Sequence, residues 1–138
     1  MKTINDKLLI GRNEWCALPV LKLPYIKAKI DTGAKTSSIH AFNIKLHLKK
    51  GQKWVHFDVH PLQYNDELVI PCRALVFDER NIMSSNGHNE KRFIIKTPLK
   101  INNQVWDIEI SLSNRDPLRF RMLLGREALG DHILIDPN

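Results

Sequence analysis

The chain has 138 residues, 43% of them hydrophobic, with a formal net charge of +6 and a pI of about 9.5. Length and apolar share predict one compact domain, residues 1–138, with a core large enough to stand alone. No run of about 18 apolar residues occurs, which argues against a membrane helix. The opening Met1-Lys2-Thr3-Ile4-Asn5-Asp6 lacks the apolar centre of a secretory signal, so a cytoplasmic location is expected.

The pattern is mostly β. Ala28 to Asp31 follows the Pro-containing stretch from Leu18 to Tyr25 and reads as a short strand ending in a turn. Ser38 to Leu48 alternates through Ile39, Ala41, Ile44, Leu46 and Leu48, with a turn at Lys50-Gly51-Gln52. Trp54 to His60 alternates again, with Trp54, His56, Asp58 and His60 on one face and Val55, Phe57 and Val59 on the other. Leu68-Val69-Ile70 precedes Pro71. Cys72 to Phe77 and Phe93 to Thr97 read as two strands around Ser84-Ser85-Asn86-Gly87, where Asn-Gly is a strong turn signal. Lys100 to Ser113 reads as a hairpin about Asn102-Asn103. One short helix is expected from Arg126 to Leu129, stopped by Gly130. Many short strands with one late helix predict a mainly β fold, a closed or partly closed barrel.

The chemistry concentrates at Ile30-Asp31-Thr32-Gly33-Ala34. Ninety residues later comes Met122-Leu123-Leu124-Gly125-Arg126. Peptide hydrolysis without metal or covalent intermediate needs an activated water and a protonated group. Two carboxylates held close do both, because like charges a few ångströms apart do not both ionise. Gly33 permits a close backbone approach, and the Thr32 hydroxyl can brace the turn. One Asp-Thr-Gly supplies one carboxylate. The second comes from a twin chain or from Asp116 of the same chain, which otherwise reads as a loop cap. Gly125 reads as a close-packing position and Arg126 as a structural ion pair or dimer contact. Ser37 and His40 follow the turn; they read either as local hydrogen-bonding groups or as substrate contacts. Arg80 and Arg115 read as substrate-carboxylate ligands or as salt bridges.

Cys16 and Cys72 read as reduced core thiols. Trp15, Trp54 and Trp106 read as core. The basic residues are scattered, apart from pairs such as Lys49-Lys50 and Lys91-Arg92, and no nucleic-acid motif accompanies them. A nucleic-acid partner is therefore not expected from composition. No phosphate loop ending in Lys-Ser or Lys-Thr occurs, so ATP is not expected. No His-Glu-x-x-His occurs either. His56 and His60 would sit roughly 13 Å apart at strand rise, too far to share one zinc, so no metal site is expected.

The segments Ile10–Trp15 with Leu18-Pro19, Ile26–Ala41, Arg80–Gly87, Asn114–Asp116 and Arg121–Leu129 together resemble one bacterial family of retropepsin-like aspartic peptidases. That family is often labelled "ATP-dependent zinc protease". The likeness runs from about residue 10 to 137. It implies a retropepsin-like barrel, hydrolysis at Asp31, Thr32 and Gly33, peptide or protein substrates of acidic or glutamate-rich character, and association with ATP-grasp ligases that add glutamate to proteins. The alternative it implies is a non-catalytic peptide-binding module partnering such a ligase.

Retroviral proteases resemble the same two motifs at residues 31–34 and 123–126. That likeness implies a homodimer in which each chain contributes one Asp31. Ala34 with Ser37 and His40 would contact substrate. A mobile hairpin tip at Ser85-Asn86-Gly87 would cover it, with Lys49-Lys50-Gly51 as the rival flap. The chain departs from the viral pattern at Lys35, where an acid would pair Arg126. Asp116 or Asp136 would have to replace that acid.

Overall fold

The computed structural model describes residues 3–4, 7–83, 87–114, 119–131 and 133–135. In chain order the strands are β1 (Thr3–Ile4), β2 (Lys7–Ile10), β3 (Asn13–Leu18), β4 (Leu23–Ile30), β5 (Ser37–His40), β6 (Phe42–Lys49), β7 (Gln52–Val59) and β8 (Ile70–Leu75). They continue with β9 (Asp78–Met83), β10 (Asn89–Ile101), β11 (Gln104–Ser113), β12 (Met122–Leu124) and β13 (Ile133–Ile135). The helix α1 spans Arg126–Leu129.

Six strands close a barrel in the order β11-β5-β12-β4-β3-β10, with β10 returning to β11. β9 extends β10 as a hairpin, pairing from Ile94↔Asp78 out to Asn89↔Met83. A second sheet, β6-β7-β8, and a third, β1-β2-β13, flank the barrel. The core runs through Leu23, Ile26, Ile39, Ile95, Leu99, Ile110 and Leu124, all fully buried. Each such side chain contributes about 1.5–3 kcal/mol relative to exposure.

β12 decides where the site lies. It has three residues, and it pairs parallel with β4 (Met122↔Ala28 to Leu124↔Ile30) and antiparallel with β5 (Met122↔Ile39, Leu123↔Ser38). The loop from Asp31 to Thr36, joining β4 to β5, therefore wraps the C-terminal end of β12.

Several expectations hold. Asn102-Asn103 is a two-residue turn closing Ile101 against Gln104, and Asn102 takes the left-handed φ of 55° that such turns use. Val55, Phe57 and Val59 point inward. The helix stops at Gly130, φ 44°.

Others need correction. Ser38 to Leu48 is not one strand. The chain leaves the barrel at Ala41, whose amide donates to the Ser113 carbonyl at 2.8 Å. It enters the second sheet through an irregularity between Phe42 and Lys45, with Asn43 at φ 52°. The buried parity switches at this corner, from odd positions in β5 (Ser37, Ile39) to even ones in β6, where Leu46 stands opposite the buried Val55. Cys72 to Phe77 does not pair with Phe93 to Thr97 as a hairpin. β8 pairs with β7, and β9 takes the place beside β10. β4 starts at Leu23, earlier than expected, and β1, β2, β3 and β13 lie where no strand was expected. Trp15 is not core: it is 52% exposed, with Lys27 Nζ 5.5 Å over its ring. Trp106 is half-buried and donates Nε1 to the Ala128 carbonyl at 2.8 Å.

Among the described residues, no helix is long and apolar enough to cross a membrane. Cys16 and Cys72 are free and buried.

Candidate active site

Asp31 is half-buried at the end of β4, and its turn is held almost wholly by backbone. The Asp31 amide donates to the Leu124 carbonyl at 2.9 Å, and the Ala34 amide donates back to the Asp31 carbonyl at 3.2 Å. The Gly33 amide donates to Asp31 Oδ1 at 3.2 Å. One carboxylate oxygen is thus oriented by the turn itself. Fixing a carboxylate through main-chain contacts removes the rotamer freedom that a loop aspartate would otherwise keep.

The later motif locks the loop from beneath. The Arg126 amide donates to the Ala34 carbonyl at 2.8 Å and the Glu127 amide to the Lys35 carbonyl at 3.2 Å. A Cβ on Gly125 would lie 2.8 Å from the Thr36 carbonyl carbon and 2.9 Å from the carbonyl oxygens of Ala34 and Lys35. Only glycine lets β12 end this close to the loop. Gly125 also donates its amide to Ser37 Oγ at 3.0 Å.

The Arg126 guanidinium donates Nη1 to the Gly33 carbonyl at 3.2 Å. Among the described residues its partner is this carbonyl and not a carboxylate. Asp116 and Asp136, the acids expected to pair it, lie outside the described residues, as do Arg115, Ser85 and Asn86. Lys35, standing where the viral pattern has an acid, faces Glu127 at 3.6 Å across exposed surface.

An open cleft of about 720 Å³ separates the turn from the β9–β10 hairpin. Gly33, Ala34, Lys35 and Thr36 form one wall, Arg80, Asn81, Ile82 and Met83 the other, and Glu109 and Glu127 complete it. Arg80 is not available as a lone cation. Its Nη2 donates to Glu109 Oε1 at 2.5 Å and its Nε to Asp78 Oδ2 at 2.7 Å. These bonds hold the Asp78 carboxyl below the usual carboxylate range and raise the Arg80 guanidinium further. The salt-bridge reading of Arg80 is the one the geometry bears out. Two cations and two carboxylates line the cleft, so a single chain's wall carries no net charge.

The expected site residues separate into two groups. Ala34 lines the cleft, and Gly87 is exposed in the hairpin connection with φ 83°. The rival flap, Lys49-Lys50-Gly51, belongs to the β6–β7 turn and does not line the cleft. Ser37 and His40 are buried, 1% and 7% exposed. Ser37 braces Gly125. His40 lies at the far end of β5, its amide donating to the Arg121 carbonyl at 2.8 Å. Its ring stacks with Phe42 and His60 at centroid distances of 6.2 and 6.4 Å. Three residues of strand, roughly 10 Å, separate it from Ser37.

Asn81, Glu109 and Glu127 were not singled out in the sequence. They reach the cleft only because β9 and β11 flank β10 and α1 follows β12, which no local pattern signals. Among the described residues, no three His, Cys, Asp or Glu side chains gather as a metal site.

The comparisons with known proteins agree with this frame. A crystal structure of the Legionella pneumophila protein Lpg0085, described as of unknown function, superposes with a TM-score of 0.79 at 28% identity, over 94% of this chain and 93% of that one. A protein of Desulfotalea psychrophila named "Probable alpha-L-glutamate ligase" is 55% identical over 95% of this chain. One of the same name from Shewanella pealeana is 46% identical over 97%. The chain spans only 28% and 29% of those two relatives' lengths. The family described as "Retropepsin-like aspartic endopeptidase RimB" matches residues 9–138, and this chain belongs to that RimB-like family.

Proposed function

We propose that this chain is an aspartic endopeptidase acting as a homodimer, with Asp31 from each chain flanking one water. One carboxylate takes a proton from the water as its oxygen attacks the peptide carbonyl carbon. The protonated partner donates to the carbonyl oxygen. When the tetrahedral adduct collapses, the amide nitrogen takes up a proton and leaves as an amine. Thr32 and Gly33 hold the geometry, Ala34 contacts substrate, and the β9–β10 hairpin, whose Met83 lines the cleft, faces it. Ser37, Gly125 and Arg126 position the turn rather than touch substrate.

The observation that carries this reading is the support of Asp31 by Leu124 on one side and Gly33 on the other, in a turn whose next residues, Gly33 to Thr36, line an open cleft. The substrates we propose are acidic or glutamate-rich protein tails. Support comes from the net charge of +6 and from relatives named as glutamate ligases. Neither zinc nor ATP enters the proposed reaction.

A second reading has its own support. The stretch similar to this chain makes up less than a third of those ligase-named relatives, as a substrate-recruiting module of a ligase would. On that reading the fold binds acidic tails without cutting them. The two are separated by incubating glutamate-tailed and ordinary peptides with wild type and Asp31→Asn, with and without chelator. Cleavage lost in the variant and indifferent to chelator supports the peptidase. Binding without cleavage by either protein, across pH, supports the module.

A further inference from the structure

The second sheet carries a surface that the cleft does not use. In β6, Lys45, His47 and Lys49 alternate with Leu46 and Leu48. β6 pairs with β7 so that Lys45 stands opposite His56 and His47 opposite Trp54. β7 pairs with β8 so that His56 stands opposite Arg73. Cross-strand partners share a face. Val55, Phe57 and Cys72 turn inward and are buried, so the opposite parity faces outward. Lys45, His47, Lys49, His56 and Arg73 are all exposed there, and Trp54 is half-buried among them.

This face is strongly one-signed. The acid on it is Asp58, which accepts from Asn43 Nδ2 at 3.0 Å. Among the described residues, Lys45, Lys49 and Arg73 make no ion pair. After desolvation, the neighbouring His47, Arg73 and Lys49 push the His56 imidazole below its ordinary pKa. The face also carries rings. His47 and His56 lie 4.1 Å apart between centroids, tilted by 42°, beside Trp54.

We propose that the outer face of β6, β7 and β8 binds single-stranded nucleic acid, with Lys45, Lys49 and Arg73 on phosphates and the His47, His56 and Trp54 rings offering stacking surfaces to bases. The patch measures roughly 13 Å along β6 and roughly 10 Å across the three strands, enough for a few nucleotides. A bare cationic patch would suit any polyanion. The interleaved aromatic rings favour a polymer with flat bases over a carboxylate tail. Scattered basic residues in the sequence thus become one surface through strand pairing. None of these residues lines the cleft, so the surface is independent of the proposed peptidase site.

The test measures fluorescence anisotropy of labelled single-stranded 12-nucleotide RNA and DNA, with a labelled glutamate 12-mer as rival ligand, over a salt series. We expect oligonucleotide binding whose logarithmic salt slope is about −2, as three phosphate contacts on a single strand require. Lys45→Glu/Arg73→Glu should weaken it at least tenfold. Lys91→Glu/Lys100→Glu, an equal charge change elsewhere, should weaken it less than threefold. Lys45→Gln/Arg73→Gln is the substitute if the double glutamate variant fails to fold by circular dichroism, with a fivefold loss expected. His47→Ala/His56→Ala should weaken oligonucleotides more than the glutamate peptide. The proposal is overturned by no oligonucleotide binding, by equal loss in the two charge-reversed variants, or by binding of the glutamate peptide alone.

Discussion

The Gly125 amide donates to Ser37 Oγ at 3.0 Å across 88 residues of sequence. Ser37 begins the strand that follows the Asp31 loop, and Gly125 directly follows the strand that lies under it. Both groups are buried. The bond therefore fixes the loop's exit to the end of β12, while the Asp31–Leu124 bond fixes its entry. Ser37→Ala leaves the buried Gly125 N–H without this partner and should cost about 1–3 kcal/mol. Gly125→Ala is the more severe change. Its methyl meets three backbone atoms of the segment Ala34 to Thr36, and a loss of about 3 kcal/mol or more is expected. Urea unfolding of both variants checks the order. A Gly125→Ala protein as stable as wild type would mean that the loop is not held as described.

Asp31→Asn should behave differently. The amide side chain retains an oxygen that can accept from Gly33, so unfolding free energy should change by less than about 1 kcal/mol. Turnover should fall by about 10³-fold or more, because the general base is gone. The dimer makes a further demand. If each active site needs Asp31 from both chains, an excess of the variant should silence wild type. Mixed in equal amounts and allowed to exchange, wild-type chains should lose about half their specific activity. Undiminished activity per wild-type chain would place the second carboxylate within one chain.

Arg126 and Lys35 both depart from the viral pattern. The guanidinium takes the Gly33 carbonyl, and the lysine takes the carboxylate of Glu127. The Lys35–Glu127 pair is solvent-exposed at 3.6 Å, so Lys35→Ala or Glu127→Ala should alter stability by less than about 0.5 kcal/mol. Arg126→Ala removes a support of the turn itself. It should lower kcat at least tenfold in the peptide assay while costing about 1 kcal/mol of stability. An Arg126→Ala protein with unchanged kcat and reduced stability would confine this side chain to folding.

The parts of the fold that local sequence announced were those with local causes. Asn102-Asn103 names its own turn, Gly130 its own helix stop, and alternation from Val55 to Val59 its own inward face. The insertion of β12 between β4 and β5 had no such signal. Three residues are too few for a period, and the pairing partners lie about ninety positions away. The corner at Ala41 was hidden because apolar residues go on alternating on both sides of it, although their parity changes between Ala41 and Ile44. The Asp31 loop was legible as chemistry, but its support was only partly so. Gly125 could be read as a close-packing glycine, whereas the Ser37 oxygen that meets its amide and the Gly33 carbonyl that meets Arg126 are brought there by the tertiary fold. The cleft wall formed by Asn81, Glu109 and Glu127 comes from three separated segments, and each residue alone reads as ordinary surface.

The two cysteines make alkaline stability a test of the core. Burial pushes the Cys16 thiol up from 9.0 to about 12, with Glu14 adding to the rise. Burial does the same to Cys72, with Asp58 adding. Cys16 Sγ lies 3.6 Å from the Glu14 carbonyl, and Cys72 Sγ lies 3.7 Å from the carbonyls of Leu21 and Ile70. The folded state therefore keeps its thiol protons where the unfolded chain has released them. Below about pH 9 both states are protonated and the thiols add no pH dependence. Above it the unfolded chain binds fewer protons, so stability falls as pH rises, and it goes on falling until about pH 12. Each unit of that interval corresponds to about 1.4 kcal/mol per thiol at most. Urea midpoints measured from pH 8 to 10.5 should decline more steeply for wild type than for Cys72→Ala, whose slope should be about half. The same burial should keep both thiols from a disulfide reagent at pH 8 in the native protein and release both in denaturant. Rapid native reaction, or equal slopes for the two proteins, would contradict the packing of β3 and β8 against the core.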